Sequence, residues 1–178
     1  MVAVIIAEGF EEIEALTPVD MLRRAGVEVI TVGIGGKWAT GSHGIKIECD
    51  VSAEDADLSK IDAVVFPGGM PGALNLDASP FTDKVINAVL KKNGYLAAIC
   101  ASPLIFGRRG LLEGKNATCY PGFEGELRGA KVLDCAVVTD GKMITGRSMG
   151  GSVDFAKALI ACLANDEKSE AIARAIIN

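Results

Sequence analysis

The run Leu96-Ala97-Ala98-Ile99 ends abruptly in Cys100, and Ala101-Ser102-Pro103 follow. The apolar run has the length and composition of a strand buried on both faces. Ser102-Pro103 followed by Leu104, Ile105 and Phe106 has the pattern of a helix start, with proline tolerated in the first turn. Cys100 then falls on the turn between them. A nucleophile gains there from exposed backbone N–H groups, which favour the thiolate, and Ala101 and Ser102 are small enough to let a substrate approach. The pattern fits a merely buried thiol equally well, since free cysteine is among the most buried residue types.

The other candidates are carboxyl groups and glycines. Glu14 in Glu11-Glu12-Ile13-Glu14 could serve as a proton carrier beside the thiol; helix geometry alone reads it equally as a solvated first-turn acid. Glu8, at the end of the first apolar run, is a second candidate. Gly68-Gly69 is either a plain turn or a place where backbone must approach a ligand closely. Asp20 reads as a buried hydrogen-bonding acid. His43, the only histidine, lies in a Gly-rich loop and reads as a surface residue, or as one lent to a partner's pocket.

Positioning these groups requires a sheet. Strands are expected at Val2–Ala7, Val27–Val32, Asp62–Phe66, Tyr95–Ile99 and Ala117–Tyr120, with a short one over Ile45–Cys49. Ala136–Thr139 and Met143–Thr145 form a hairpin around Asp140-Gly141. Helices are expected at Glu11–Ala25, Pro80–Lys92, Ser102–Arg109, Gly151–Ala164 and Ser169–Ile177, the first kinked or restarted at Pro18. Alternating strands and helices imply an α/β protein with a mostly parallel central sheet and helices on both faces. Such sheets work at the carboxyl ends of their strands. Glu8–Glu14, Pro67-Gly68-Gly69 and Cys100-Ala101 should therefore meet.

The 178 residues suit one domain over 1–178, with no repeat or linker. A net charge of −5 and the lack of a basic run argue against nucleic acid as a partner. Five widely spaced cysteines, an odd number without C-x-x-C, suit a reducing compartment. Cys119, Cys135 and Cys162 read as core thiols. One histidine leaves no zinc site unless His43 serves it, so no metal is expected. Gly33-Ile34-Gly35-Gly36 fails to complete G-x-G-x-x-G, because Trp38 fills the last position, so no nucleotide cofactor is expected either. No apolar stretch approaches membrane-spanning length, and Met1–Ala7 lacks a signal peptide's basic flank. A cytoplasmic protein with no membrane partner is the expectation.

Taken together, Glu11-Glu12-Ile13-Glu14, Pro18-Val19-Asp20, Arg23-Arg24-Ala25-Gly26, Phe66-Pro67-Gly68-Gly69, Ala97-Ala98-Ile99-Cys100-Ala101 and Thr145-Gly146-Arg147-Ser148-Met149-Gly150 resemble the DJ-1/ThiJ/PfpI superfamily, on its DJ-1 branch. The resemblance runs through nearly the whole chain in order. It implies a flavodoxin-like three-layer sandwich, usually a homodimer. It further implies Cys100 as nucleophile, Glu14 as its carboxyl partner, and Gly69 and Ala101 N–H groups as an oxyanion hole. Gly68, Ser102, Tyr120 and Arg147 would lie about the pocket, and Cys49 matches an interface cysteine. Tyr120-Pro121 departs from the branch, which often carries histidine there; a neutral phenol shuttles protons poorly at pH 7. Ala101 stands where the protease-like branch has histidine, which argues against a peptidase triad. The activity so implied is a glutathione-independent glyoxalase or deglycase acting on methylglyoxal or its adducts. The alternative is an oxidative-stress sensor or chaperone-like protein whose Cys100 is oxidised to sulfinate.

Overall fold

In the computed structural model, residues 1–177 are described; the elements run β1 (Val2–Ile6), α1 (Glu12–Arg24), β2 (Val29–Gly33), β3 (Trp38–Thr40), β4 (Lys46–Glu48), β5 (Val51–Ser52) and β6 (Ala63–Phe66). Then follow α2 (Gly72–Ala78), α3 (Pro80–Lys91), β7 (Tyr95–Ile99), α4 (Pro103–Arg108), β8 (Asn116–Ala117) and β9 (Lys131–Val132). The chain continues through β10 (Val137–Asp140), β11 (Met143–Gly146), α5 (Ser152–Leu163) and α6 (Asp166–Ile177).

Seven strands form the main sheet in the order β10-β11-β7-β6-β1-β2-β5. All neighbours are parallel except the β10–β11 hairpin at one edge. The central strands β1, β6 and β7 are almost wholly apolar because each residue meets one of two helical layers. Ala3, Ile5, Val64, Phe66, Leu96 and Ala98 pack towards α2, α3 and α4. Val2, Val4, Ile6, Val65, Ala97 and Ile99 alternate with them and pack towards α1 and α5. This is the three-layer sandwich expected, and period-two alternation accounts for it.

Several expectations need correction. Pro18 neither ends nor restarts α1, which runs continuously through it. The ring is buried, so packing offsets the backbone hydrogen bond that proline removes. The strand expected over Ala117–Tyr120 stops at Ala117. Beyond it, the Thr118 N–H donates to Thr145 Oγ1 and the Tyr120 N–H to the Cys100 carbonyl, so these donors are unavailable to a ladder. Helix α2 and strands β3 and β5 were not anticipated; they are short and carry little periodicity. Cys135 is exposed rather than in the core, lying in the bend before β10, while Cys119 is buried and Cys162 half-buried.

Phe155 on α5 is fully buried, and a Cβ added to Gly146 would lie 3.0 Å from its ring. Phe155→Ala should cost about 3–5 kcal/mol, read as a lower urea midpoint at unchanged m-value. A midpoint matching the parent's would mean this layer is loosely packed.

Candidate active site

Strands β1, β6 and β7 lie side by side, and the chain leaves β1 in one direction and returns on its other side through β6. That reversal opens a crevice beyond their carboxyl ends. Three connections stitch across it. The Glu11 N–H donates to the Gly68 carbonyl at 2.9 Å, and the Gly72 N–H to the Gly9 carbonyl at 3.0 Å. The buried Ser102 hydroxyl donates to the Pro67 carbonyl at 2.6 Å.

Cys100 follows β7 in a left-handed conformation, φ +65°. Such a conformation is uncommon for a residue with a Cβ and persists only where the surroundings enforce it. Here its N–H donates to the Gly146 carbonyl at 2.9 Å and its carbonyl accepts from the Tyr120 N–H at 2.8 Å. The N–H groups of Gly69 and Ala101 bear on the sulfur. Cys100 is half-buried, and its side chain lines a cavity of about 470 Å³.

Glu14 reaches the same point from the first turn of α1, and its residue is only 1% exposed. Its Oε2 accepts the Gly68 N–H at 2.9 Å. Glycine is required at 68 because a Cβ there would stand 2.6 Å from that oxygen and 2.7 Å from the Cys100 Cβ. Gly69 has φ +87°, and a Cβ on it would meet the Glu11 nitrogen at 2.4 Å. The glycine pair is thus the wedge that lets acid and thiol approach.

Burial raises the Glu14 pKa to about 7, against the pull of the Cys100 and Gly68 hydrogen bonds. Burial and then the neighbouring Glu14 carboxylate push the Cys100 thiol up to about 12, against the Gly69 and Ala101 N–H groups. The helix-end N–H groups favour the thiolate as expected, but burial and the Glu14 charge outweigh them. Ionisation of the sulfur depends on Glu14 being protonated, when its charge no longer opposes the thiolate and its O–H can donate to it.

The cavity also receives Glu11, His43, Tyr120 and Met149. Two expected pocket residues, Gly68 and Ser102, lie behind it and shape it. Arg147 is a third departure: its side chain pairs with Asp134 and does not line the cavity, where Ser148, Met149 and Gly150 do. Glu8 does not line it either; its carboxylate accepts the Thr40 N–H at 2.9 Å. Asp20 is exposed and pairs with Arg24 one turn on, rather than being buried. Glu12 is buried, at 4% exposure. Cys49 is buried within this chain's own core.

His43 is the residue whose place the sequence concealed. It lines the cavity from its own chain rather than from a partner. The link is Glu12, whose Oε1 accepts the N–H groups of His43 at 2.9 Å and Ile45 at 3.3 Å. Among the described residues, Glu11, Glu12 and His43 are one set of three metal-ligand types whose donor atoms lie within 4.8 Å of one another. Two backbone N–H groups already occupy one Glu12 oxygen.

Among the described residues no helix is long and apolar enough to cross a membrane. The chain is 34% identical to Drosophila melanogaster protein dj-1beta over 98% of its length and 95% of the relative's. It is 29% identical to the Caenorhabditis elegans glutathione-independent glyoxalase DJR-1.2, covering 93% of this chain and 89% of that one. The crystal structure of Drosophila DJ-1beta superposes with a TM-score of 0.94 at 33% identity, over 99% of this chain and 96% of that one. The model of the DJ-1/PfpI family matches residues 1–162, and the chain belongs to that family.

Proposed function

We propose that the protein is a cysteine-dependent, glutathione-independent glyoxalase that converts methylglyoxal to lactate, with deglycation of methylglyoxal adducts as the related activity. The observation that carries this reading is the buried Glu14 carboxyl, with a pKa near neutrality, set against the Cys100 thiol. A relative is named as a glyoxalase of this kind.

The Cys100 thiolate adds to the aldehyde carbon, forming a C–S bond and an alkoxide that takes the Glu14 proton, which leaves Glu14 as a carboxylate. Glu14 removes the hydrogen of that carbon as a proton and returns it to the neighbouring carbon through an enediol. The product is a lactoyl thioester on Cys100. Water then cleaves the C–S bond, releasing lactate and the thiolate, with no net oxidation. The Gly69 and Ala101 N–H groups hold the developing oxyanion; one such donor is worth about 3 kcal/mol in acyl-transfer enzymes. Oxidation of the same sulfur to sulfinate is the second reading, supported by a protonated Glu14 that can donate to a sulfinate oxygen. A homodimer is proposed as well: exposed Ile13, Ile45 and Met149 line a shallow apolar hollow beside the cavity mouth, suited to a second copy.

A methylglyoxal-to-lactate assay under reducing conditions tests the reading. Cys100→Ala should abolish turnover, and Glu14→Gln should lower kcat about 10²-fold or more while leaving the thiol open to alkylation. Lactate formed at the parental rate by Cys100→Ala would overturn it.

Glu14 also makes stability depend on pH. Its folded pKa, about 7, lies above its ordinary 4.5, so folding holds its proton more tightly. That increment is complete below about 4.5 and is lost as pH rises through 7, amounting to on the order of 3 kcal/mol. Urea midpoints of the parent should therefore fall from pH 5 to pH 8 more steeply than those of Glu14→Gln (roughly that difference in free energy). Parallel profiles would show that Glu14 is not the titrating group.

Gly68→Ala places a methyl between the acid and the thiol. Its lactate formation should fall at least as far as that of Glu14→Gln. Unchanged turnover would show that this spacing is dispensable.

A further inference from the structure

The proposed cycle must take a proton from water at its last step and return one to Glu14, which gave its own to the alkoxide. Cys100 is bonded to the acyl group during that last step, and Glu14 is set against the sulfur. We propose that His43 is a further catalytic residue, acting as the general base that activates water against the Cys100 thioester. This rests on the glyoxalase reading above.

The geometry that supports it is independent of that reading. His43 and Cys100 line the same cavity. The imidazole Nδ1 lies 3.2 Å from Glu12 Oε2 and 3.4 Å from Glu11 Oε2, with the Ser42 hydroxyl at 3.1 Å. Glu12 is itself immobilised: it is buried, and its other oxygen holds the His43 and Ile45 N–H groups. One carboxylate therefore anchors both the backbone and the ring of His43. An Nδ1–H donated to a carboxylate leaves the Nε2 lone pair free as a base. Nucleophile, base and orienting carboxylate are the components of hydrolytic sites on unrelated folds.

The ionisation states are compatible. The Glu12 hydrogen bond, followed by the charges of Glu11 and Glu12, raises the His43 pKa from its ordinary value. Burial opposes ionisation of Glu12, but hydrogen bonds from its own N–H, His43 and Ile45 prevail and keep its carboxyl below the usual range.

The steps balance. The water oxygen bonds to the acyl carbon, the C–S bond breaks, and sulfur leaves as thiolate. One water proton goes to His43 Nε2 and the other leaves with the new carboxyl group. The imidazolium then gives its proton back to the Glu14 carboxylate by way of solvent, restoring the protonated acid for the next aldehyde. No oxidant, reductant or metal is consumed.

The experiment compares the parent and His43→Ala on methylglyoxal, with acid-quenched intact mass alongside steady-state lactate release. His43→Ala should lower kcat about 10²-fold at a nearly unchanged KM. It should accumulate an adduct on Cys100 that hydroxylamine removes, and added imidazole should restore part of the rate. Cys100 alkylation at the parental rate verifies that the variant is folded. Parental turnover by His43→Ala, or a slowed variant with no hydroxylamine-sensitive adduct, would overturn the role of His43 and leave the glyoxalase reading standing. Failure of the parent itself to form lactate would overturn both.

Discussion

A carboxyl group removed from water beside a thiol is the constraint on which the site depends. Burial at Glu14 favours the neutral acid, while the Gly68 N–H accepted by its oxygen favours the ion. The balance falls near neutrality, where a proton can be given and retrieved at little cost. A free carboxyl would not titrate there in water. The sheet, the two glycines and the first turn of α1 exist in this arrangement to keep that acid dry and within reach of sulfur.

The carboxyl ends of parallel strands supply the rigidity. Cys100 is held by strand β11 through Gly146 and by the Tyr120 segment, so neither backbone group is free to relax its left-handed conformation. Ser102 reaches from the start of α4 to Pro67 and fixes the elbow relative to the glycine pair. These are short-range ties between chain segments far apart in sequence, and they are stronger determinants of the site than any one side chain lining it. Arg147 illustrates the reverse: it is near the site in sequence but spends its charge on exposed Asp134.

Much of this was legible in the residues. Continuous apolar strands such as Val2–Ile6 and Ala63–Phe66 declare a sheet covered on both faces, and the paired layers of the core explain why. Cys100 and the glycine pair were identifiable because abrupt changes of residue type mark strand ends, whereas Glu14 was singled out only by the family resemblance. Burial was harder to read. Glu11, Glu12 and Glu14 look alike in sequence, yet Glu12 and Glu14 are buried with different partners and their pKa values move in opposite directions. His43 was hidden for the same reason: its position depends on Glu12, 31 residues away, and no periodicity encodes that tie. Asp20 failed in the other direction, because an i,i+4 arginine satisfies it at the surface.

The bond from the Cys100 N–H to the Gly146 carbonyl has a bearing on biosynthesis. On the ribosome, Cys100 emerges well before its clamp can form, and Glu14 has no buried site to occupy until β7 is flanked on both sides. The nascent thiol is therefore an ordinary cysteine for most of translation. Its coupling to Glu14 can arise only after Gly146, late in the chain, has been made and is free to pair with it.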